Sequence, residues 1–345
     1  MHMNPIENKR ILLLCPNFYD YDLILRDELL KLGAKDVYLK NARYFSSSIR
    51  EWESFNFRSF ILHPFERRKW TNNFIKEIKD KKFDVFLCIE NACFLKYFMD
   101  FLIENNPGIK TRLFLWDTYD TQQGGFKDYR FLFDKVYSFD RDDAEKYDME
   151  YYPDFYIPQH PDNEALYDIS FVGTANGSST LHRFKLIDYV NKFCEANGLR
   201  SMLYLRVNIP VKTKNPLKII KRRFDKLKVY RNLIAKYSRE NWLHGESLPL
   251  DQCNKLQSQA HVLLDLNHRN RQGMTINCIT ALAQGQKLIT TNKRIKEEAF
   301  YNPNMIYVMD EDNPHLDISF WSRPNEKIDM SHLRLDNWLL HILTV

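Results

Sequence analysis

The sequence predicts an α/β protein built from two doubly wound parallel sheets. Three observations carry this. Short, wholly apolar runs recur along the chain, stretches of helical period separate them, and one proline-rich segment interrupts the alternation near the middle. At 345 residues the chain exceeds one ordinary core and suits two domains.

Ile11–Cys15 (ILLLC) reads as a strand buried on both faces, because it lacks polar alternation. Leu23–Leu32 follows as a helix ended by Gly33, and Val37–Leu39 as a second strand. The region 42–69 is aromatic-rich and shows no usable period. Thr71–Lys82 reads as a helix with Thr71 at its N-cap, and Phe83–Ile89 as a strand. Cys93–Glu104 is a helix stopped ahead of Pro107, and Arg112–Trp116 and Lys135–Phe139 are two more strands.

Tyr151–Pro161 (YYPDFYIPQHP) holds three prolines and no helical period, so it is the expected linker. The alternation then restarts. Tyr167–Val172 is a strand, Gly173–Thr180 a small-residue turn, and a helix with Leu181, Phe184, Ile187, Val190 and Cys194 on one face runs to Gly198. Ser201–Val207 and Val262–Leu266 are strands, Thr275–Gln284 is a helix closed by Gly285, and Lys287–Thr291 and Met305–Met309 are the last strands. Two such halves describe the GT-B architecture, two Rossmann-like doubly wound domains facing a central cleft. The expected domains are 1–157 and 158–330, with a basic insertion at 211–239 and a C-terminal helix over 331–345. Ligands in such sheets sit at the carboxyl ends of the strands.

Composition excludes several classes. With 44% hydrophobic and 28% charged residues the chain is globular, and a net charge of +5 does not demand nucleic acid. The six cysteines form no CxxC pair or zinc spacing and read as reduced thiols. The polar start MHMNPIENKR does not read as a signal peptide, so none is expected, and no run approaches the roughly 18 apolar residues a span needs. A cytoplasmic location is expected, with peripheral contact at the inner membrane left open.

The segment richest in chemistry is Asn267–Asn277, NHRNRQGMTIN. It joins a buried strand to a helix, so the helix's free N–H groups and positive dipole end point at a basic loop. A phosphate or diphosphate suits that place, with Arg269 or Arg271 adding charge-assisted hydrogen bonds. An ordinary loop with solvated arginines is the competing reading. Asn267, Arg269, Arg271, Gln272, Gly273, Met274, Thr275 and Asn277 form the candidate donor site, together with Gly173, Thr174 and Thr291 at other strand ends. Gly173 reads equally as a tight turn, and Asn292 as a helix cap.

From Tyr167 to about Leu343 the chain resembles bacterial lipopolysaccharide and capsular polysaccharide biosynthesis glycosyltransferases, close to CgeB-like proteins. The resemblance rests on YDISFVGTANG, HVLLDLNHRNRQGMT, ALAQGQKLITTN and FYNPNMIYVMDEDNP, and extends to FLWDT and FDKVYSFDRDDAEKY. It implies transfer of a sugar from a nucleotide-sugar to a surface glycan. The family pattern GLTMRTIEAL is here GMTINCITAL, so Asn277 and Thr280 stand where that family has Arg and Glu. The resemblance places a ribose-binding carboxylate at the second of these positions, and this chain lacks it. A protein that binds nucleotide or glycan without turnover is therefore the alternative reading.

Inverting transfer needs a proton acceptor near the acceptor hydroxyl. Asp117 and Glu90, each expected at the carboxyl end of a central strand, are the candidate catalytic residues, with Asp20 and Tyr19 weaker ones. Each reads also as a helix cap or a substrate hydrogen bond. Asp140–Arg141–Asp142 looks like a DxD metal motif but opens a helix, where Asp caps are ordinary, so no metal and no cofactor are expected. From Val211 to Arg239 eleven Lys/Arg face one acid, Asp225, with apolar residues interleaved. That stretch suits an anionic membrane surface or a lipid-linked acceptor, or is a solvated helical insertion. No nucleic-acid-binding signature accompanies it.

Overall fold

The computed structural model describes residues 4–42, 57–90, 94–119, 130–158, 165–175, 180–207, 225–269 and 271–344, with side chains left out at 57–64 and 225–228. The chain divides into two compact units, Met1–Phe155 with His332–Val345, and Tyr156–Ser331.

The first unit is built on β1 (Arg10–Cys15), β2 (Asp36–Asn41), β3 (Val85–Ile89), β4 (Lys110–Leu115), β5 (Lys135–Ser138) and β6 (Glu150–Tyr151). All pair in parallel in the order β2-β1-β3-β4-β5-β6, so the winding reverses between β1 and β3. The described helices are α1 (Tyr21–Lys31), α2 (Phe57–Ile78), α3 (Tyr97–Asn105) and α4 (Arg141–Tyr147). Leu12, Leu13 and Leu14 are fully buried, as their unbroken apolar run requires. Phe74 of α2, Phe86 of β3, and Phe94 and Phe98 near α3 fill one side, with Phe74 stacked on Phe98 at 5.0 Å. Each buried ring is worth roughly 1.5–3 kcal/mol of transfer free energy.

Thr71 does not begin a helix. It lies inside α2, buried, where its hydroxyl donates to the Arg67 carbonyl at 2.8 Å and accepts from the Leu95 amide at 3.1 Å. A threonine that bonds back one turn needs no cap geometry, so its side chain misleads as a boundary signal.

The second unit holds β7 (Tyr167–Ala175), β8 (Ser201–Val207), β9 (Leu243–His244), β10 (Ala260–Asp265), β11 (Lys287–Thr290) and β12 (Ile306–Val308), all parallel, ordered β12-β11-β10-β7-β8-β9. Its described helices are α5 (His182–Asn197), α6 (Asp225–Lys236), α7 (Leu250–Ser258), α8 (Ile276–Ala283) and α9 (Ser319–Ser322). The winding reverses between β7 and β10. Gly198 (φ 67°) and Gly285 (φ 80°) follow α5 and α8 in the left-handed region, where a side chain would be strained.

Two expectations are decided here. Of the strand-end and turn readings of Gly173 and Thr174, the strand holds: both lie near the end of β7, paired with Leu205 and Arg206. Gly173 lies under the Phe171 ring, where a Cβ would come within 2.5 Å of Cζ, so packing explains the glycine. In the described part of the basic stretch, Tyr230, Leu233 and Ile234 pack on the second core and Tyr237 is buried, while Val229 is exposed. The apolar face there is spent on the protein's own core, and 211–224 lie outside the described residues. Among the described residues no helix is long and apolar enough to cross a membrane.

The last helix, α10 (Leu335–Leu343), belongs to the first unit. Trp338 is fully buried edge-on to Phe114 at 4.7 Å, and its indole N–H donates to the Pro153 carbonyl at 2.9 Å. The buried Arg112 of β4 closes the end of α10 by donating to the Ile342 and Thr344 carbonyls at 3.1 and 3.2 Å.

Candidate functional site

In the second unit the functional groups gather where β7 and β10 diverge. The loop after β10 is pinned from inside. The Asn267 amide donates to Thr291 Oγ1 at 3.0 Å, and Asn267 Nδ2 donates to the Arg271 and Gly273 carbonyls at 3.2 and 3.4 Å. Asn292 Nδ2 donates to the Gln272 carbonyl at 2.8 Å, while Asn292 Oδ1 accepts from the Arg294 amide and caps Lys293–Glu297. Asn267 and Thr291 are buried and hold the loop's shape. Met274 is 2% exposed and its side chain packs inward.

Thr275 is the N-cap of α8, its Oγ1 accepting from the Cys278 amide at 3.3 Å. Asn277 is exposed on the first turn. Behind the cap lies Asp265, with Oδ2 accepting from Thr290 Oγ1 at 2.9 Å. Desolvation pushes the Asp265 carboxyl above its ordinary range, and its hydroxyl and thiol partners and Arg183 pull it partly back.

Arg183, in the first turn of α5, was not among the expected site residues. It is 9% exposed. It donates from Nη1 to the Thr174 carbonyl at 2.7 Å and from Nη2 to the Leu266 carbonyl, tying the carboxyl ends of β7 and β10 together. Its Nε is buried with no hydrogen-bond partner. Desolvation lowers its pKa to about 10, opposed by Asp265 and helped by Arg271, so it stays charged at neutral pH. His182 beside it places Nε2 2.9 Å from the Asn267 carbonyl and 3.5 Å from Glu311, while Nδ1 is buried without a partner. Desolvation and the Arg183 charge lower His182 to about 4, and desolvation, Arg183 and Arg271 lower His268 to about 4. At neutral pH both rings are uncharged. Arg183 and Arg271 therefore supply the positive field at this crevice. Arg269 is drawn aside by Asp312 at 3.3 Å and Glu311 at 3.9 Å. A His-Arg pair opening the helix after the unit's first strand, inside an otherwise apolar face, was the signal for this site.

In the first unit Glu90 and Asp117 follow β3 and β4. Glu90 adopts φ 66°, unusual for a non-glycine, and its Oε2 accepts from the Trp116 and Asp117 amides at 2.9 and 3.0 Å. That geometry makes Glu90 a clip for the turn after β4. Asp154, also absent from the expectations, is 5% exposed beside them, and its Oδ1 has no hydrogen-bond partner. Burial pushes its carboxyl well above the ordinary range, and the charges of Glu90 and Asp117 push the same way. Asp140 is a cap, accepting from the Asp142 and Asp143 amides at 3.0 and 3.2 Å. Among the described residues no group of three or more potential ligands could hold a metal ion.

No known protein family and no curated protein matches the sequence, so the surface-glycan resemblance stays an expectation. Solved structures do match. A UDP-forming α,α-trehalose-phosphate synthase from Burkholderia xenovorans aligns over 97% of this chain and 98% of its own, at 11% identity and TM-score 0.55. An E. coli trehalose-6-phosphate protein bound with UDP-2-fluoro glucose covers 97% and 96%, at 11% identity and TM-score 0.54. An α-glucosyltransferase in complex with UDP and DNA covers 97% and 95%, at 13% identity and TM-score 0.52. At such identities the likeness establishes the fold, and the fold is of the GT-B type.

Proposed function

We propose that the protein is a glycosyltransferase that uses a nucleotide-sugar, with the nucleotide diphosphate bound by the second unit and a glycan acceptor by the first. The observation that carries this reading is the pair Arg183 and Arg271 at the crevice between the ends of β7 and β10, beside the amino end of α8. Two cations and a helix N-terminus suit a diphosphate. The compared structures are of a UDP complex, a UDP-forming enzyme and a complex with UDP-2-fluoro glucose, which makes a UDP-sugar the first donor to try.

In this reading Arg271, the loop amides around Gly273 and the Thr275–Asn277 turn face the diphosphate, and Arg183 holds the crevice open at the right width. As the C1–O bond to the diphosphate breaks, its electron pair leaves with the diphosphate, where these charges stabilise it. The acceptor oxygen forms the new bond to C1, and its proton passes to a carboxylate, for which Asp117, whose backbone amide donates to Glu90, is the candidate. No metal is assigned a step. Transfer to a lipopolysaccharide or capsular glycan at the inner membrane is the finer form of this reading, supported by the sequence resemblance alone.

Thr280 in place of a carboxylate on α8 favours a second reading, nucleotide binding without turnover. Calorimetry and hydrolysis with UDP-, GDP-, dTDP- and CMP-sugars separate the two. Binding with release of nucleoside diphosphate supports the enzyme, and binding without release supports the second reading. An Arg271→Ala variant that binds every nucleotide as the parent does would sink the assignment of the phosphate site.

A further inference from the structure

Two imidazoles share the crevice of the second unit with its two arginines, and their geometry gives them different capacities. His182 is 9% exposed, and its Nε2 lies 2.9 Å from the Asn267 carbonyl. A carbonyl only accepts, so Nε2 carries the hydrogen of the neutral ring and Nδ1 is a bare acceptor, buried without a partner. A second proton would sit on that Nδ1 with nothing to donate to, which burial makes costly. His268 stands differently. It is half-buried on the loop itself, and its carbonyl accepts from the Arg271 amide at 2.9 Å, so ring and guanidinium belong to one turn.

The cations set the charge state of that ring. Arg183 gives its terminal nitrogens to the Thr174 and Leu266 carbonyls rather than to a carboxylate. Besides burial, the charges of Arg183 and Arg271 hold His268 low, and His182 acts the same way. The other charged groups of the crevice are already engaged. Arg269 meets Glu311 and Asp312 after β12, and Asp265 at the end of β10 accepts from Thr290 and Thr275 behind the α8 cap. A bound diphosphate changes the balance. Its negative charges offset the two guanidinium groups, so the field that repels a proton from His268 weakens or reverses.

We propose that the second unit takes up its diphosphate together with a proton from solvent, which settles on the free ring nitrogen of His268 rather than on His182. This rests on the phosphate site proposed above and adds its regulation: the donor is held more tightly as the pH falls below neutrality. No bond to the ligand forms or breaks in the step, which is an acid–base equilibrium alone.

UDP-glucose is the first probe, with GDP-mannose and dTDP-glucose in parallel, because their diphosphates are esterified at both ends and do not titrate near neutrality. Free UDP is unsuitable, since its terminal phosphate has a second pKa of about 6. Imidazole NMR on the full chain, free and saturated, should show the His268 midpoint rising from about 4 by roughly one to two pH units, and His182 rising by less. By linkage the ligand then binds about two- to tenfold tighter at pH 5 than at pH 7. Calorimetry at pH 5 in two buffers of different ionisation heat should register uptake of roughly half a proton, absent in His268→Gln. The titration in the parent chain decides the matter even where that variant folds poorly. Binding with an unmoved His268, a larger rise at His182, or uptake that persists in His268→Gln would each overturn the inference and leave the phosphate site standing. Failure to bind any of the three nucleotide-sugars would remove both.

Discussion

Arg183→Met is the most informative perturbation of the second unit, because it separates a charge from a shape. Methionine keeps much of the side-chain volume but removes the guanidinium. The fold loses the bonds to the Thr174 and Leu266 carbonyls and is relieved of a desolvated cation. These oppose each other, so a net cost of about 1–3 kcal/mol is expected. Binding should change more selectively. Unit charges about 6 Å apart at an effective dielectric near 20 interact by about 3 kcal/mol, and solvent at the crevice reduces this to about 2 kcal/mol. That corresponds to a roughly 30-fold weaker Kd for UDP. Uridine has no phosphate and should lose little. Calorimetry with both ligands is the assay, with the imidazole titrations followed by NMR. Since the Arg183 charge helps hold His182 and His268 near 4, both midpoints should rise in the variant. Equal losses for UDP and uridine, or unmoved histidines, would refute the electrostatic role and leave Arg183 a packing residue.

Three further outcomes are expected. His182, lowered from 6.5 to about 4, binds a proton more readily when unfolded; stability therefore rises with pH from about 4 to 6.5, is complete above that window and is lost below it. The effect is on the order of 3 kcal/mol for this buried ring, and denaturant melts at pH 7 and pH 5 should differ less in His182→Gln. Asp154 has the opposite sign: its raised folded pKa makes stability fall as pH rises above the unfolded value, so Asp154→Asn should gain on the parent as melts move from pH 5 to pH 8. Trp338→Ala should cost about 3–5 kcal/mol in chemical denaturation, since the fully buried ring packs on Phe114 and Phe155; a loss under 1 kcal/mol would mean that α10 contributes little to the first unit.

Much of the fold was legible in the sequence because its determinants are local. Apolar runs such as ILLLC and VFLCI must be buried on both sides, and glycines 198 and 285 end helices through φ values only their own backbone decides. The basic loop and the capped helix after β10 were visible for the same reason, since strand, loop, cap and helix follow one another in the chain. Where side-chain chemistry was ambiguous, local reading was less secure: Thr71 was read as a cap and lies in mid-helix, and of the two readings of Gly173, strand end or tight turn, packing beneath Phe171 decided for the strand.

What only the tertiary structure decided is which distant groups share a neighbourhood. Arg183 and Leu266 are 83 positions apart and meet because β7 and β10 are adjacent strands. Glu90 serves a turn 26 residues on, and Asp154 finds two carboxylates from the segments after β3 and β4 that no spacing in the sequence foretells. Arg112 closes a helix 230 residues away. The hydrophobic pattern specifies each strand and its faces, but strand order sets these encounters, and order follows from how whole helices cover whole sheets. The sequence alone therefore determined the two-sheet architecture and the basic loop between β10 and α8; the buried arginine that ties the end of β10 to β7, and the orphaned carboxyl of the first unit, were decided by packing.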